Sequence, residues 1–315
     1  MKRNILIAAV ILLLIVAGIL AFLHFQGGTA SPDEGTDPVA NADTTVHVDI
    51  DSALVSLNYK PVNDGESPYF NVNFNVAYFK NCQWANKMNE AIVHEVTHAV
   101  KIWGDPENEE DQENSKQFWQ EQYRFSGDLK ATLQTFSQQL KDEYVSEFRT
   151  FATDTDAFLQ AYTFEEETYA VISILPGNIA TWTGHFYFFS GGAHGMNIPL
   201  ALTFDLATGD TLGLYDFLRH GCEASIQALL KKKILAEAGA SDDDELEAAG
   251  FWASSEDVNY LRDVTAIYPD SDGLVFTYAP YAIACYAVGS VSVTLTWKEL
   301  NPYLSPESPR VLSSR

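Results

Sequence analysis

The sequence predicts an α+β fold: antiparallel sheets with packed helices in two subdomains, preceded by one N-terminal transmembrane or signal-anchor helix. Three observations predict it. Segments with two-residue apolar alternation flank segments with three- and four-residue spacing, the periods at which strands and helices each bury one face. The helical segments fall between strand pairs instead of after every strand, as in α+β chains. Residues 5–23 are an unbroken apolar run with no charged side chain.

That run, at about 1.5 Å per residue, reaches roughly the 30 Å of a hydrocarbon core. Lys2 and Arg3 precede it and the next basic residue is Lys60. The positive-inside bias therefore puts the amino terminus in the cytoplasm and everything beyond Phe25 outside. A cleaved signal sequence is the alternative, because Gly28, Thr29 and Ala30 offer small residues for cleavage. A signal core usually spans about 7–15 residues, shorter than this run, so 1–25 are read as a retained anchor. The expected location is the bacterial inner membrane with an ectodomain outside the cytoplasm, or the periplasm after cleavage. No cysteine follows the run closely enough for a lipoprotein anchor. Residues 26–45, rich in Gly, Ser, Pro, Thr and Asp, read as a flexible linker.

An amino-terminal α+β domain is expected over 46–158. Val46, Val48 and Ile50, then Val55, Leu57 and Tyr59, read as a strand whose phase changes near Asp51, as a bulge would cause. After Asn63-Asp64-Gly65, the alternation of Phe70, Val72, Phe74, Val76 and Tyr78 predicts an antiparallel partner. Met88, Ile92, Val96, Val100 and Trp103 then share one helical face over Trp84–Trp103, and Gly104-Asp105-Pro106 stops the helix. The acidic stretch 107–113 reads as a loop or helix start. Leu129, Leu133, Phe136, Leu140 and Tyr144 predict a second amphipathic helix.

A carboxy-terminal domain is expected over 159–305, with a tail at 306–315. Strands are predicted at Tyr169–Leu175, Ile179–Phe189 and Ile198–Leu206, with turns at 176–178 and 207–210. A helix follows over Glu223–Ala238, then an acidic surface run at Asp242–Glu247. Strands at Leu274–Tyr278 and Val291–Trp297 and a turn at Leu300–Leu304 close the chain.

Asp and Glu number 43 against 19 Lys and Arg, a formal charge of −24. Such a surface repels phosphate backbones, so nucleic-acid partners are not expected. Cys82, Cys222 and Cys285 are too few and too scattered for a disulfide framework or a CxxC metal knuckle.

One pentad carries explicit chemistry. His94-Glu95-Val96-Thr97-His98 is an HExxH, in which two histidines one helical turn apart share a zinc ion and the glutamate polarises bound water. With Ile92 at 0° and 100° per residue, Val96 falls at about 40° and Trp103 at about 20°, whereas His94 and His98 fall at about 200° and 240°. Both imidazoles thus lie on the polar face. The third ligand is also missing from its customary places: no histidine follows before His185, and position 118, about where the locally similar thermolysin-like peptidases carry a glutamate, is Phe. The pentad reads as the solvent side of a helix with no cofactor. A zinc-dependent envelope peptidase using His94, Glu95 and His98 is the alternative.

Several segments of the second half carry a resemblance. Ser190-Gly191-Gly192-Ala193-His194-Gly195, then Thr203 to Gly209, Leu214 to Leu218, and Phe276 to Ala284 with Gly289, resemble the RsiV-like extracytoplasmic domain family. This is a bacterial domain of unknown function with a GGAHG signature, covering about residues 160–304 here. The strand pair and Asn89-Glu90-Ala91-Ile92 resemble its companion amino-terminal domain. The resemblance implies a membrane-anchored binding or sensory module, non-enzymatic, whose partner is a cell-envelope ligand or a cationic protein such as a lysozyme-like enzyme. Only four residues precede the apolar run, so it is not extended to an anti-sigma role. Of the signature residues Gly191, Gly192, His194, Gly195, Pro280 and Tyr281, the glycines suit a tight connection with positive φ. His194 reads first as bonded to backbone, Pro280 and Tyr281 as strand-end packing. The aromatic band from Trp182 to Phe189 reads first as core, with a carbohydrate platform as the alternative.

Overall fold

The computed structural model describes residues 46–61, 69–99, 125–151, 163–254, 258–306 and 308. The anchor at 1–25, the linker at 26–45, the Asn63-Asp64-Gly65 turn, the helix end at 100–106, the acidic stretch 107–113 and most of the tail lie outside the described residues. Among those described, no helix is long and apolar enough to cross a membrane. The fold is mixed α+β with two sheets.

Five strands make the first sheet in the order β1 (Asp49–Tyr59), β2 (Phe70–Lys80), β3 (Phe164–Leu175), β4 (Ile179–Phe189) and β5 (Met196–Asp205). All neighbours are antiparallel except β2 and β3, which run parallel from Phe70↔Phe164 to Val76↔Ala170. A parallel neighbour needs a long crossover. Here the crossover carries helices α1 (Ala85–Ala99) and α2 (Leu129–Phe151). The sheet therefore spans the division expected between 46–158 and 159–305, and the antiparallel expectation is corrected at this one pair. A lone β1–β2 hairpin would be marginal. Joined to β3–β5, it offers both helices a surface wide enough to cover.

The alternation expected of β2 holds through Val76: Phe70, Val72, Phe74 and Val76 are buried in a core completed by Trp182 and Phe186 of β4, whereas beyond Val76 it is Ala77 and Phe79 that are buried and Tyr78 is half-exposed. Met88, Ile92 and Val96 of α1, and Leu129, Leu133, Phe136, Leu140 and Tyr144 of α2, fill the other side. The expected bulge near Asp51 is absent, since β1 and β2 pair residue for residue from Asp49↔Lys80 to Tyr59↔Phe70. Val46 and Val48 lie ahead of the strand and pack on the core from there, while the Val46 N–H donates to Asn178 Oδ1 at 3.0 Å. The phase change is a strand entry.

Two buried polar side chains mark this core. Asn89 of α1 accepts from the Phe79 N–H at 2.9 Å and donates to the Phe79 carbonyl at 2.8 Å, tying the helix to β2. Glu166 on β3 is fully buried, and among the described residues neither carboxylate oxygen has a hydrogen-bond partner. Burial pushes its pKa well above the ordinary 4.5.

The second core takes in Phe217 of α3 (Leu214–Phe217), with α4 (Glu223–Ala238), α5 (Asp243–Ala248) and an antiparallel sheet of β6 (Ala266–Pro269), β7 (Gly273–Tyr278) and β8 (Val291–Thr296) in that order. Ile226, Leu230 and Ile234 of α4 are buried at four-residue spacing, and every residue of β7 is buried. Four-residue β6 is too short to show alternation in sequence. The acidic 242–247 run, expected as a solvated surface, forms α5: Asp242 caps it by accepting from the Glu245 N–H at 2.9 Å, and Leu246 turns inward. Thr296 ends β8 one residue before the expected Trp297, because it and Glu299 cap α6 (Trp297–Leu300) reciprocally. Cys82, Cys222 and Cys285 are free thiols.

Asn89→Ala strands two buried backbone groups at Phe79 and should cost about 2–4 kcal/mol in urea unfolding. Glu166→Met should stabilise the protein by about 1–3 kcal/mol at neutral pH. A raised folded pKa means that the ionisation penalty is absent below the unfolded pKa and grows as pH climbs toward the folded one. The stability gap between Glu166→Gln and wild type should therefore shift in the variant's favour as pH rises above about 4.5; a pH-independent gap in parallel melts would contradict the burial argument.

Candidate functional site

The HExxH pentad lies on α1 with its intervening residues inward. Val96 is buried, and buried Thr97 donates its hydroxyl to the Val93 carbonyl at 2.8 Å. His94 is exposed and Glu95 half-buried, with burial pushing the Glu95 carboxyl above its ordinary pKa. The His98 side chain lies outside the described residues. Among the described residues, no group of three or more His, Cys, Asp or Glu converges.

The signature segments do converge. Beyond β4 the chain turns through Gly191 and Gly192 at φ 95 and 94 and presents His194 at the surface. Far along the sequence, the Ala282 N–H donates to the Ala279 carbonyl at 3.0 Å, closing a β-turn with Pro280 in its second place and Tyr281 in its third. Proline suits the second place, and the third, at φ 70, is one that glycine or asparagine normally takes in a type II turn. Pro280 is buried; Tyr281 is 49% exposed, with its covered side toward the His194 and Tyr286 rings. A bulky side chain at positive φ is an outlier that the surrounding structure must hold in place.

Tyr281 reaches His194. Its hydroxyl and His194 Nε2 lie 3.4 Å apart, and the His194 ring stacks on Tyr286 with centroids 3.6 Å apart and planes at 18°. The Gly195 carbonyl accepts from the Tyr286 hydroxyl at 2.7 Å and lies 3.2 Å from His194 Nδ1. His194 thus contacts backbone as expected, and side chains as well. Gly195 has a packing reason: a Cβ there would fall 2.5 Å from the Tyr187 hydroxyl.

Tyr187 links this shelf to the outward face of the first sheet. Burial first, then Glu165 and Tyr286, push its phenol above its ordinary pKa, and burial and Glu165 do the same to Tyr69. Both hydroxyls stay protonated and can donate. Asn71 Nδ2 donates to Glu165 Oε1 at 3.4 Å. The aromatic band of β4 divides by strand alternation: Trp182, Phe186 and Phe188 are core, while His185, Tyr187 and Phe189 are half-exposed. Sequence reasoning missed Tyr286, Glu165 and Tyr69. None has a local signal, because each acquires its neighbours only by folding. Another resembling segment is structural: Gly209 sits against Trp84, where a Cβ would come within 2.5 Å of that side chain, and the Trp84 indole N–H donates to the Ala207 carbonyl at 2.8 Å.

Fold and site together define a two-sheet α+β protein with an exposed His-Tyr shelf where its two halves meet. A family model described as "Protein of unknown function (DUF3298)" matches residues 215–298, which take in Pro280, Tyr281 and Tyr286 and leave Gly191–Gly195 outside. The crystal structure of a DUF3298-family member from Bacteroides fragilis is similar, with a TM-score of 0.59 and 18% identity over 85% of this chain and 97% of that one. That likeness supports the fold. A DUF3298-family protein from Pseudomonas aeruginosa PAO1 matches with a TM-score of 0.48 and 15% identity, over 84% of this chain and 97% of that one. No curated protein matches the chain.

Relieving the turn should separate stability from any role of the ring. Tyr281→Asn, which tolerates positive φ, should raise stability by about 1 kcal/mol in chemical denaturation.

Proposed function

We propose that the chain is a membrane-anchored extracytoplasmic binding or sensory module, non-enzymatic, that takes its ligand on the shelf of His194, Tyr281 and Tyr286. The observation that carries this reading is Tyr281. A ring half in water contributes little packing, yet it is kept on a backbone geometry that costs about 1–3 kcal/mol. Strain of this kind accumulates where a side chain serves a ligand. Tyr and His are also residues that bind well from the surface, combining a flat apolar face with a polar edge.

The apolar run at 5–23 and the basic pair before it support an anchor in the bacterial inner membrane with the folded part outside the cytoplasm. The charge of −24 supports a cell-envelope ligand or a cationic protein, such as a lysozyme-like enzyme, over any polyanion.

Two measurements test the reading. Full-length chain in bacterial spheroplasts should be digested by added protease down to an amino-terminal remnant; full protection would defeat the topology. Purified chain should co-sediment with isolated cell-wall material, and Tyr281→Ala should weaken retention at least tenfold. Equal retention of the two proteins would remove the shelf from the function.

A further inference from the structure

We propose that the ligand of this shelf is a neutral or amino-bearing oligosaccharide, bound along the outward face of the first sheet; the proposal rests on the binding-module reading above and names its ligand class.

Ring geometry is the first argument. His194 and Tyr286 are tilted by only 18°, Tyr281 and Tyr286 by 34° at 5.6 Å, and His194 and Tyr281 by 34° at 6.3 Å. Rings that cage a quaternary ammonium surround it from several sides. Here His194 lies flat on Tyr286, so each ring covers one face of the other, and the pair leaves open the outer face of exposed His194, with half-exposed Tyr281 beside it. The ligand that matches a single open aromatic face is itself flat and weakly polar on one side, as the C–H face of a pyranose is. Its rim of hydroxyls then needs fixed polar partners at the edge of the shelf.

Those partners are in place. Beside the shelf stand the Tyr187 hydroxyl and the Glu165 carboxylate, the latter held by Asn71. The row continues outward from there: Asn73 Nδ2 donates to Asn71 Oδ1 at 3.1 Å, and the Ser56 hydroxyl to Asn73 Oδ1 at 2.7 Å. Linked side chains are already fixed before a ligand arrives, which lowers the entropy cost of binding. Tyr169, 42% exposed, stands on the same face beside His185 at 5.8 Å. From β4 to β1 three inter-strand steps cover about 14 Å. A single sugar ring cannot span that distance, so the face suits an oligomer.

Charge narrows the class. Glu165 and Glu167 both lie on this face, in a chain of charge −24. Sulfated or phosphorylated glycans would be repelled. Hydroxyl and acetamido groups are accepted, and an amino group gains a counter-charge at Glu165.

The test is calorimetric titration of the purified full-length chain with three probes: an N-acetylglucosamine tetramer, its de-acetylated counterpart and a heparin tetrasaccharide. We expect saturable binding of one or both of the first two and none of heparin. Tyr281→Ala should weaken sugar binding at least tenfold, Tyr169→Ala should weaken binding of the tetramers, and Glu165→Gln should weaken the amino form more than the acetylated one. Heparin binding as tight as the others would overturn the proposal. So would failure of both sugars to bind while cell-wall co-sedimentation still depends on Tyr281, an outcome that leaves the binding-module reading intact. If neither sugars nor cell wall respond to Tyr281→Ala, the reading and the proposal fall together.

Discussion

From Phe70↔Phe164 to Val76↔Ala170, β2 and β3 run side by side in the same direction, and the first core is organised around that ladder. It joins a hairpin that could not stand alone to a three-strand meander. It forces the intervening chain across the sheet, so that α1 and α2 cover one face. It leaves the other face of the same strands to water. It also places Asn71 opposite Glu165, two residues from opposite ends of the helical crossover, and so assembles the polar edge of the shelf.

The same ladder explains the most costly residue in the core. Strand alternation that turns Glu165 and Glu167 outward must turn Glu166 inward, between Val72 and Phe188. Among the described residues no partner meets it there, so the protonated form is favoured and the folded state carries the cost. Toward the other end of β2, Asn89 shows the opposite case, a buried amide whose oxygen and nitrogen both find backbone at Phe79. One side chain weakens this core and the other clamps it.

The shelf depends on connections more than on strands. The loop after β4 and the turn after β7 are each set by local chemistry, two positive-φ glycines in one and a proline in the other. The Tyr286 hydroxyl, just after the second, then donates to the Gly195 carbonyl and ties the two together. Loops held in this way by a rigid scaffold are where binding residues concentrate.

The sequence alone determined those features whose cause is local. The strand at Ile179–Phe189 and the helix at Glu223–Ala238 were legible to the residue, because alternation marks one and Gly239 at φ 67 stops the other. So were the inward face of α1, with His94 on the opposite side, and the glycine turn before it reaches His194. Tertiary structure alone decided which strand lies beside which, that Glu166 is buried without a partner, and that His194 meets a tyrosine 87 residues away. Periodicity reports only that a face will be buried or exposed. What that face meets is set by the packing of elements distant in the chain, and no local pattern records it.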